Sequence, residues 1–396
     1  MSKSEYGNPL GNQALSLPDM ADAQLEACFD EKTLSGLMSM AEIFKVRKIF
    51  ITGCGDSIAA AGAFAGVMRK FTGAFHCEMI EPMEFTRFLK KEEAGIGEPD
   101  SPLVIAISAG GGTARITEVL QKANRMGAFT ILLTNNRESV GAQNAKRVFC
   151  LNTPKMPEDF PGLRSYFASI TGLIALAARI GRVRNILPPT ALTEVKQAVS
   201  AYVHSYEAVM ERIDSQMFEL AGTWKEFEQF DFIGDGPELY SALFALEKFV
   251  ETNGVTGNFD DSEDWCHINY HVKNPDRIGT ILFADRHSNA YGRERETAAA
   301  ACGIGRPLLV ITNGPAADFP KAANVCCIPD TEKGYEWLMP LMDYVPASLL
   351  AGYTSALAGR KFFNEYDIAA HEYNGGGVFF NPSVMTMKSS EIQICL

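Results

Sequence analysis

Lys48-Ile49-Phe50-Ile51-Thr52-Gly53-Cys54-Gly55-Asp56-Ser57 is followed by the apolar run Ile58 to Met68. A short β-rich stretch, a GxG turn and a longer apolar segment read as a buried strand, a tight turn and a helix. The order recurs at Phe230-Asp231-Phe232-Ile233-Gly234-Asp235-Gly236-Pro237, followed by Ser241 to Val250. A second pair lies further on. Leu103 to Ser108, Ala114 to Met126 and Phe129 to Asn135 are echoed by Gly279 to Ala284, Arg293 to Cys302 and Leu308 to Asn313. The offset is about 180 residues each time. Continuous Val/Ile/Leu strands alternating with helices predict a parallel sheet covered on both faces. Right-handed crossovers then give a doubly wound, three-layer αβα arrangement of the flavodoxin-like kind. The chain is expected to be α/β, with two tandem copies of one domain.

The boundaries are expected at 1–22 for an N-terminal extension, 23–187 for the first copy, 190–370 for the second and 371–396 for a C-terminal tail. Pro188-Pro189 marks the linker and Asn374-Gly375-Gly376-Gly377 the start of the tail. Each copy is expected to open with one helix, over 22–41 and 194–213.

The 396 residues are 46% hydrophobic and 21% charged, which excludes disorder over most of the chain. The net charge is −12 and no Lys/Arg-rich run occurs, so nucleic acid is not an expected partner. Met1 to Tyr6 reads as no signal peptide. The longest uncharged apolar stretch, Ile58 to Met68, is about half a bilayer span, so a membrane is not expected either. Nine cysteines without CxxC pairs fit a reduced cytoplasm.

Two loops carry the first chemical signal. Gly53-Cys54-Gly55-Asp56-Ser57 and Ser108-Ala109-Gly110-Gly111-Gly112-Thr113 each leave a strand and open a helix. Backbone N–H groups at a helix N-terminus hold anions, and glycine lets the anion approach. One phosphate between both loops, with hydroxyls from Ser57, Ser108 and Thr113, is the expectation. A dinucleotide fold is the alternative. It requires G-x-G-x-x-G where Ile58 stands, although Glu78 lies at a plausible distance for a ribose contact. It has no need of the second loop. The second copy carries Asp235 and Glu238 at its helix start, which would repel phosphate, and Asp285-Arg286-His287-Ser288-Asn289 has no glycine run.

The second signal is Lys248 and Glu251, i,i+3 on one helix face, followed by His267. By spacing alone, a charged helix face is usually solvated surface. Glu263, His267 and His271 have a spacing that would suit a metal on a helix. Asn269, Tyr270 and Lys273 give such a helix no apolar support, so a loop histidine is expected and neither metal nor cofactor is.

These residues resemble the sugar isomerase (SIS) domain, whose phosphate loop reads I-S-x-S-G-x-T; here it is Ile107-Ser108-Ala109-Gly110-Gly111-Gly112-Thr113. Over roughly residues 23 to 396, the tandem arrangement resembles the isomerase half of glucosamine-6-phosphate synthases and the fructosamine-6-phosphate deglycases. That resemblance implies two tandem SIS domains with a tail closing the active site. It implies that Glu251 moves a proton between sugar carbons 1 and 2. It also implies that His267, delivered across a homodimer interface, assists ring opening. Lys248, which aligns less tightly, and Lys388 of the tail are the implied lysines. Two departures stand out: Gly110 replaces a serine and Asp56 a threonine. No glutaminase segment is seen, so glutamine-fed synthesis is not expected of this polypeptide. The expected function is C–N cleavage of a 6-phosphorylated ketosamine or amino sugar. The alternatives are an aldose–ketose phosphosugar isomerase and a non-catalytic phosphosugar sensor.

Overall fold

The computed structural model describes residues 3–95, 102–158, 161–360 and 390–396. The chain divides into two compact units. The first comprises the described residues of 20–155, 164–200 and 390–396, and the second those of 1–19, 156–163 and 201–360.

In the first unit, five parallel strands are ordered β2-β1-β3-β4-β5: β1 Lys48–Thr52, β2 His76–Met79, β3 Pro102–Ile107, β4 Phe129–Thr134 and β5 Arg147–Cys150. Side chains alternate across this sheet. Phe50 and Val104 pack with Val119 and Ala123 of the helix Ala114–Arg125. Ala106 and Leu132 meet Ile116 and Leu120 of the same helix. On the other face, Leu133 approaches Gly172 of the helix Arg164–Val183 so closely that a Cβ there would lie 3.3 Å from it. That helix is long and apolar enough to cross a membrane, and most of it is buried in the fold.

The second unit repeats the order as β7-β6-β8-β9-β10, with β6 Gln229–Ile233, β7 Thr256–Asp260, β8 Ile278–Ala284, β9 Leu308–Thr312 and β10 Asn324–Cys327, again all parallel. Ile233, Leu282 and Val310 pack on one face with the fully buried Trp265 and with Ala298. Phe230 and Phe232 meet Phe249 of the helix Glu238–Asn253 on the other, at ring centroid distances of 4.6 and 5.2 Å. The two parallel sheets with flanking helices are the α/β architecture that the strand–helix alternation predicts.

The helices expected over 22–41 and 194–213 are both interrupted. The first becomes Leu17–Cys28, Glu31–Leu37 and Met40–Lys45. The cause is local. Asp30 accepts the Thr33 N–H at 2.7 Å, and Ser39 and Glu42 form a reciprocal capping box, so each starts a new helix. The second becomes Ala191–Ser205, a 3-10 turn Tyr206–Ala208 and Met210–Trp224. Ser205 donates its hydroxyl to the Tyr202 carbonyl at 2.6 Å at the break.

Candidate functional site

In the first unit the strand order reverses between β1 and β3, which are adjacent. Ligands of open α/β sheets bind outside the carboxyl ends of the strands at such a point. Gly53–Ser57 follows β1 and Ser108–Thr113 follows β3, so the fold brings both predicted loops to that edge. Gly53 is required by packing, since a Cβ would lie 2.5 Å from Ser57 Cβ. Gly55 caps the helix Asp56–Thr72 at φ 55°, ψ −133°, a backbone region closed to other residues. The exposed Cys54 and the half-buried Asp56 and Ser57 complete this turn.

The second loop is held from behind. The Ala109 carbonyl accepts from Thr134 Oγ1 at 3.1 Å and from the Asn135 N–H at 2.9 Å. Gly111 has φ 65°, and a Cβ on it would lie 2.0 Å from Ser139 Oγ. Ser108 is buried and its Oγ accepts the Gly111 N–H at 3.2 Å. Thr113 is the N-cap residue of Ala114–Arg125, but its side chain makes no cap bond. The first N–H groups of that helix therefore have no side-chain cap.

Sequence reading gave this edge glycines and hydroxyls but no cation; the structure adds Arg115. Its charge acts on the Cys54 thiol across the two loops. Desolvation by the crevice walls and the nearby Glu81 push that thiol up to about 11, while Arg115 pulls it down. Burial raises the Glu81 carboxyl as well. The spacing of Arg115, Glu118 and Lys122 on one helix face was the available signal.

In the second unit, Lys248 and Glu251 do not form a solvated face. The Lys248 side chain is fully buried, with Nζ 2.5 Å from Glu251 Oε2, 3.3 Å from the Gly162 carbonyl and 5.0 Å from the Phe244 ring centre. Glu251 keeps 31% of its side chain exposed. A buried ammonium beside a half-open carboxylate is a costly arrangement, typical of a site with work to do. His267 is not a loop residue. It lies on the helix Ser262–Ile268, whose N-cap Asp261 accepts the Glu263 and Asp264 N–H groups at 2.8 Å. Its side chain is 67% exposed and its Nε2 lies 3.0 Å from Glu263. His271 falls beyond, in the 3-10 turn Asn269–His271. Lys388 lies outside the described residues.

Residues 42–179 match the SIS domain. That match lies within the first copy. Over 161 residues the chain is 32% identical to the glutamine–fructose-6-phosphate aminotransferase [isomerizing] of Aquifex aeolicus, a match covering 39% of this chain and 26% of the relative. The chain therefore matches about a quarter of that protein's length. Among solved structures, the C-terminal domain of glucosamine-fructose-6-phosphate aminotransferase from Francisella tularensis aligns with TM-score 0.74 and 14% identity, covering 91% of this chain and 99% of that one. The tagatose-6-phosphate ketose/aldose isomerase of Escherichia coli aligns with TM-score 0.70 and 14% identity, covering 92% and 96%. These structural likenesses are of fold.

The second copy repeats the strand order of the first but fills the equivalent edge with its own side chains. A Cβ on Gly234 would lie 2.2 Å from the Glu238 carbonyl, so Glu238 takes the place that Ser57 has beside Gly53. Glu238 is buried, and desolvation with Asp343 and Asp285 nearby holds its carboxyl well above the usual range. Asp235 accepts the Ser262 N–H and hydroxyl at 3.2 and 3.0 Å, and Asp285 accepts from Asn313 Nδ2 at 2.7 Å. Glu78, the residue that kept the dinucleotide alternative open, pairs with His76 at 2.9 Å.

Proposed function

We propose that this chain binds a 6-phosphorylated, nitrogen-bearing sugar and cleaves its C–N bond. The phosphate sits on Gly53–Ser57 and Ser108–Thr113, held by helix N–H groups and the hydroxyls of Ser57, Ser108 and Thr113. Glu251 is the base. On an open-chain ketosamine it takes a proton from carbon 1, giving an enaminol. Returning that proton to carbon 2 leaves an imine at carbon 1. Water adds there, the amine leaves, and an aldose 6-phosphate remains. The atoms balance without an oxidant or a cofactor. His267 serves ring opening as proton donor and acceptor at O5. Lys248 orients Glu251, and Lys388 is assigned to the same site. Binding energy at the remote phosphate orients the reacting carbons.

The observation that carries this reading is the buried Lys248 ammonium 2.5 Å from the half-open Glu251 carboxylate. A phosphosugar sensor has no use for so costly a pair. A homodimer in which His267 crosses to the other copy is part of the proposal. It is supported by exposed apolar residues next to that histidine: Ile268, Tyr270 and Val272, at 67, 42 and 40% exposure. The nine free cysteines support a reduced, cytoplasmic setting. The test is a screen of amine release from ketosamine and amino-sugar 6-phosphates. Release coupled to an aldose phosphate is expected. Aldose–ketose interconversion without amine release would put an isomerase in its place.

A further inference from the structure

The end of the chain returns to the first unit and is gripped there by charges that the proposed reaction does not use. Glu118, on the helix that follows the second loop, has no exposed side-chain surface. It pairs with two guanidiniums, Arg115 one turn earlier and Arg87 of the short helix Glu84–Phe88. Each guanidinium has donors to spare, and both turn them to the same segment. Arg87 Nη1 donates to the Gln393 carbonyl at 2.8 Å. Arg115 Nη2 donates to Ser390 Oγ at 3.2 Å and to the Glu391 carbonyl. Glu118 Oε1 accepts the Gln393 N–H at 3.2 Å, so both backbone groups of Gln393 are bound. A turn further along, buried Lys122 donates to the Leu89 and Thr86 carbonyls at 2.6 and 3.3 Å. One helix face thus joins the second loop, segment 84–89 and the chain end.

We propose that Glu118 is a positioning residue. It sets Arg87 and Arg115 so that residues 390–393 are fastened to the helix behind Ser108–Thr113, and the N–H groups of that loop depend on the fastening. This rests on the reading that the loop holds substrate phosphate. A buried carboxylate shared by two arginines is specific in a way that surface pairing is not, because removing its charge leaves both guanidiniums without their common anchor. At Gln393 and Glu391 the clamp reads backbone groups, and Ser390 Oγ adds one side-chain contact.

The experiment compares wild type with Glu118→Gln, and with Arg87→Met, which keeps the Arg115–Glu118 pair and guards against a misfolded first variant. Amide hydrogen exchange at 390–396 and the Kd for fructose 6-phosphate are measured on the full chain. In Glu118→Gln the Gln393 amide is expected to exchange about tenfold faster and Kd to rise about three- to tenfold, with a smaller change in Arg87→Met. In the turnover assay KM should rise more than kcat falls. Unchanged exchange in both variants overturns the clamp. Faster exchange with unchanged Kd overturns the positioning role. If wild type fails to bind fructose 6-phosphate while exchange still accelerates, the clamp stands and the phosphate reading falls.

Discussion

Cys54 stands exposed at the mouth of the first loop, yet its thiol is pushed up to about 11, chiefly by desolvation and then by Glu81. At pH 7.5 roughly one thiol in three thousand is then ionised. Alkylation by iodoacetamide at that pH should be at least ten times slower than that of free cysteine, and phosphosugar should slow it further. Reaction at the free-cysteine rate, insensitive to phosphosugar, would contradict the site's geometry. Glu294 is the matching case in the second copy. Its side chain is buried on the helix Tyr291–Gly303, and desolvation with Asp235 and Asp285 nearby takes its carboxyl from 4.5 to about 9. Between about pH 5 and 9 the folded chain keeps a proton that the unfolded chain has lost. Stability therefore falls as pH rises through that window, by up to about 1.4 kcal/mol per pH unit for this group. Glu238 and Asp343 are shifted the same way and add to the slope. Denaturant unfolding from pH 6 to 9 should show the decline, and Glu294→Gln should flatten it. A variant with the wild-type slope would show that Glu294 titrates normally.

Among the elements, the glycine loops separate what packing requires from what a ligand requires. Gly53 and Gly111 leave no room for a Cβ, whereas a Cβ on Gly110 meets nothing within 4 Å. Gly53→Ala should cost stability and abolish phosphosugar binding. Gly110→Ser, which restores the hydroxyl usual in SIS loops, should tighten fructose 6-phosphate by up to about tenfold, one charge-assisted hydrogen bond. Calorimetric titration distinguishes the two, and equal weakening by both would contradict the loop assignment. These glycines were legible in the sequence because their job is local. Arg115 was not, because its partners Glu391 and Ser390 lie more than 270 residues away. The same holds for Lys248. Its i,i+3 spacing to Glu251 is visible in the sequence, but its burial depends on Phe244 and the Gly162 carbonyl around it. His267 was expected in a loop because its flanks lack an apolar stripe. Its helix is started by the Asp261 cap and anchored by buried Trp265, whose Nε1 donates to Asp231 at 3.0 Å.

At the scale of the whole molecule, repeat spacing predicted two parallel α/β copies, because parallel βαβ units allow few alternatives, while the strand order came from the structure. It could not show how the two copies diverged. One edge keeps its glycine loops, and the other carries Asp235, Glu238 and Asp285. The proposed homodimer adds a prediction at this scale. If His267 crosses between copies, mixing inactive Glu251→Gln with inactive His267→Ala chains should restore about a quarter of wild-type turnover, since half the dimers are mixed and one of their two sites is intact. No recovery after subunit exchange would place Glu251 and His267 of one site on the same chain. The central claim rests on Glu251 itself. The direct measurement is amine release from a ketosamine 6-phosphate by Glu251→Gln, with the Kd for fructose 6-phosphate taken alongside. Turnover should fall by about three orders of magnitude or more while Kd stays within about threefold of wild type. Undiminished amine release would contradict the account.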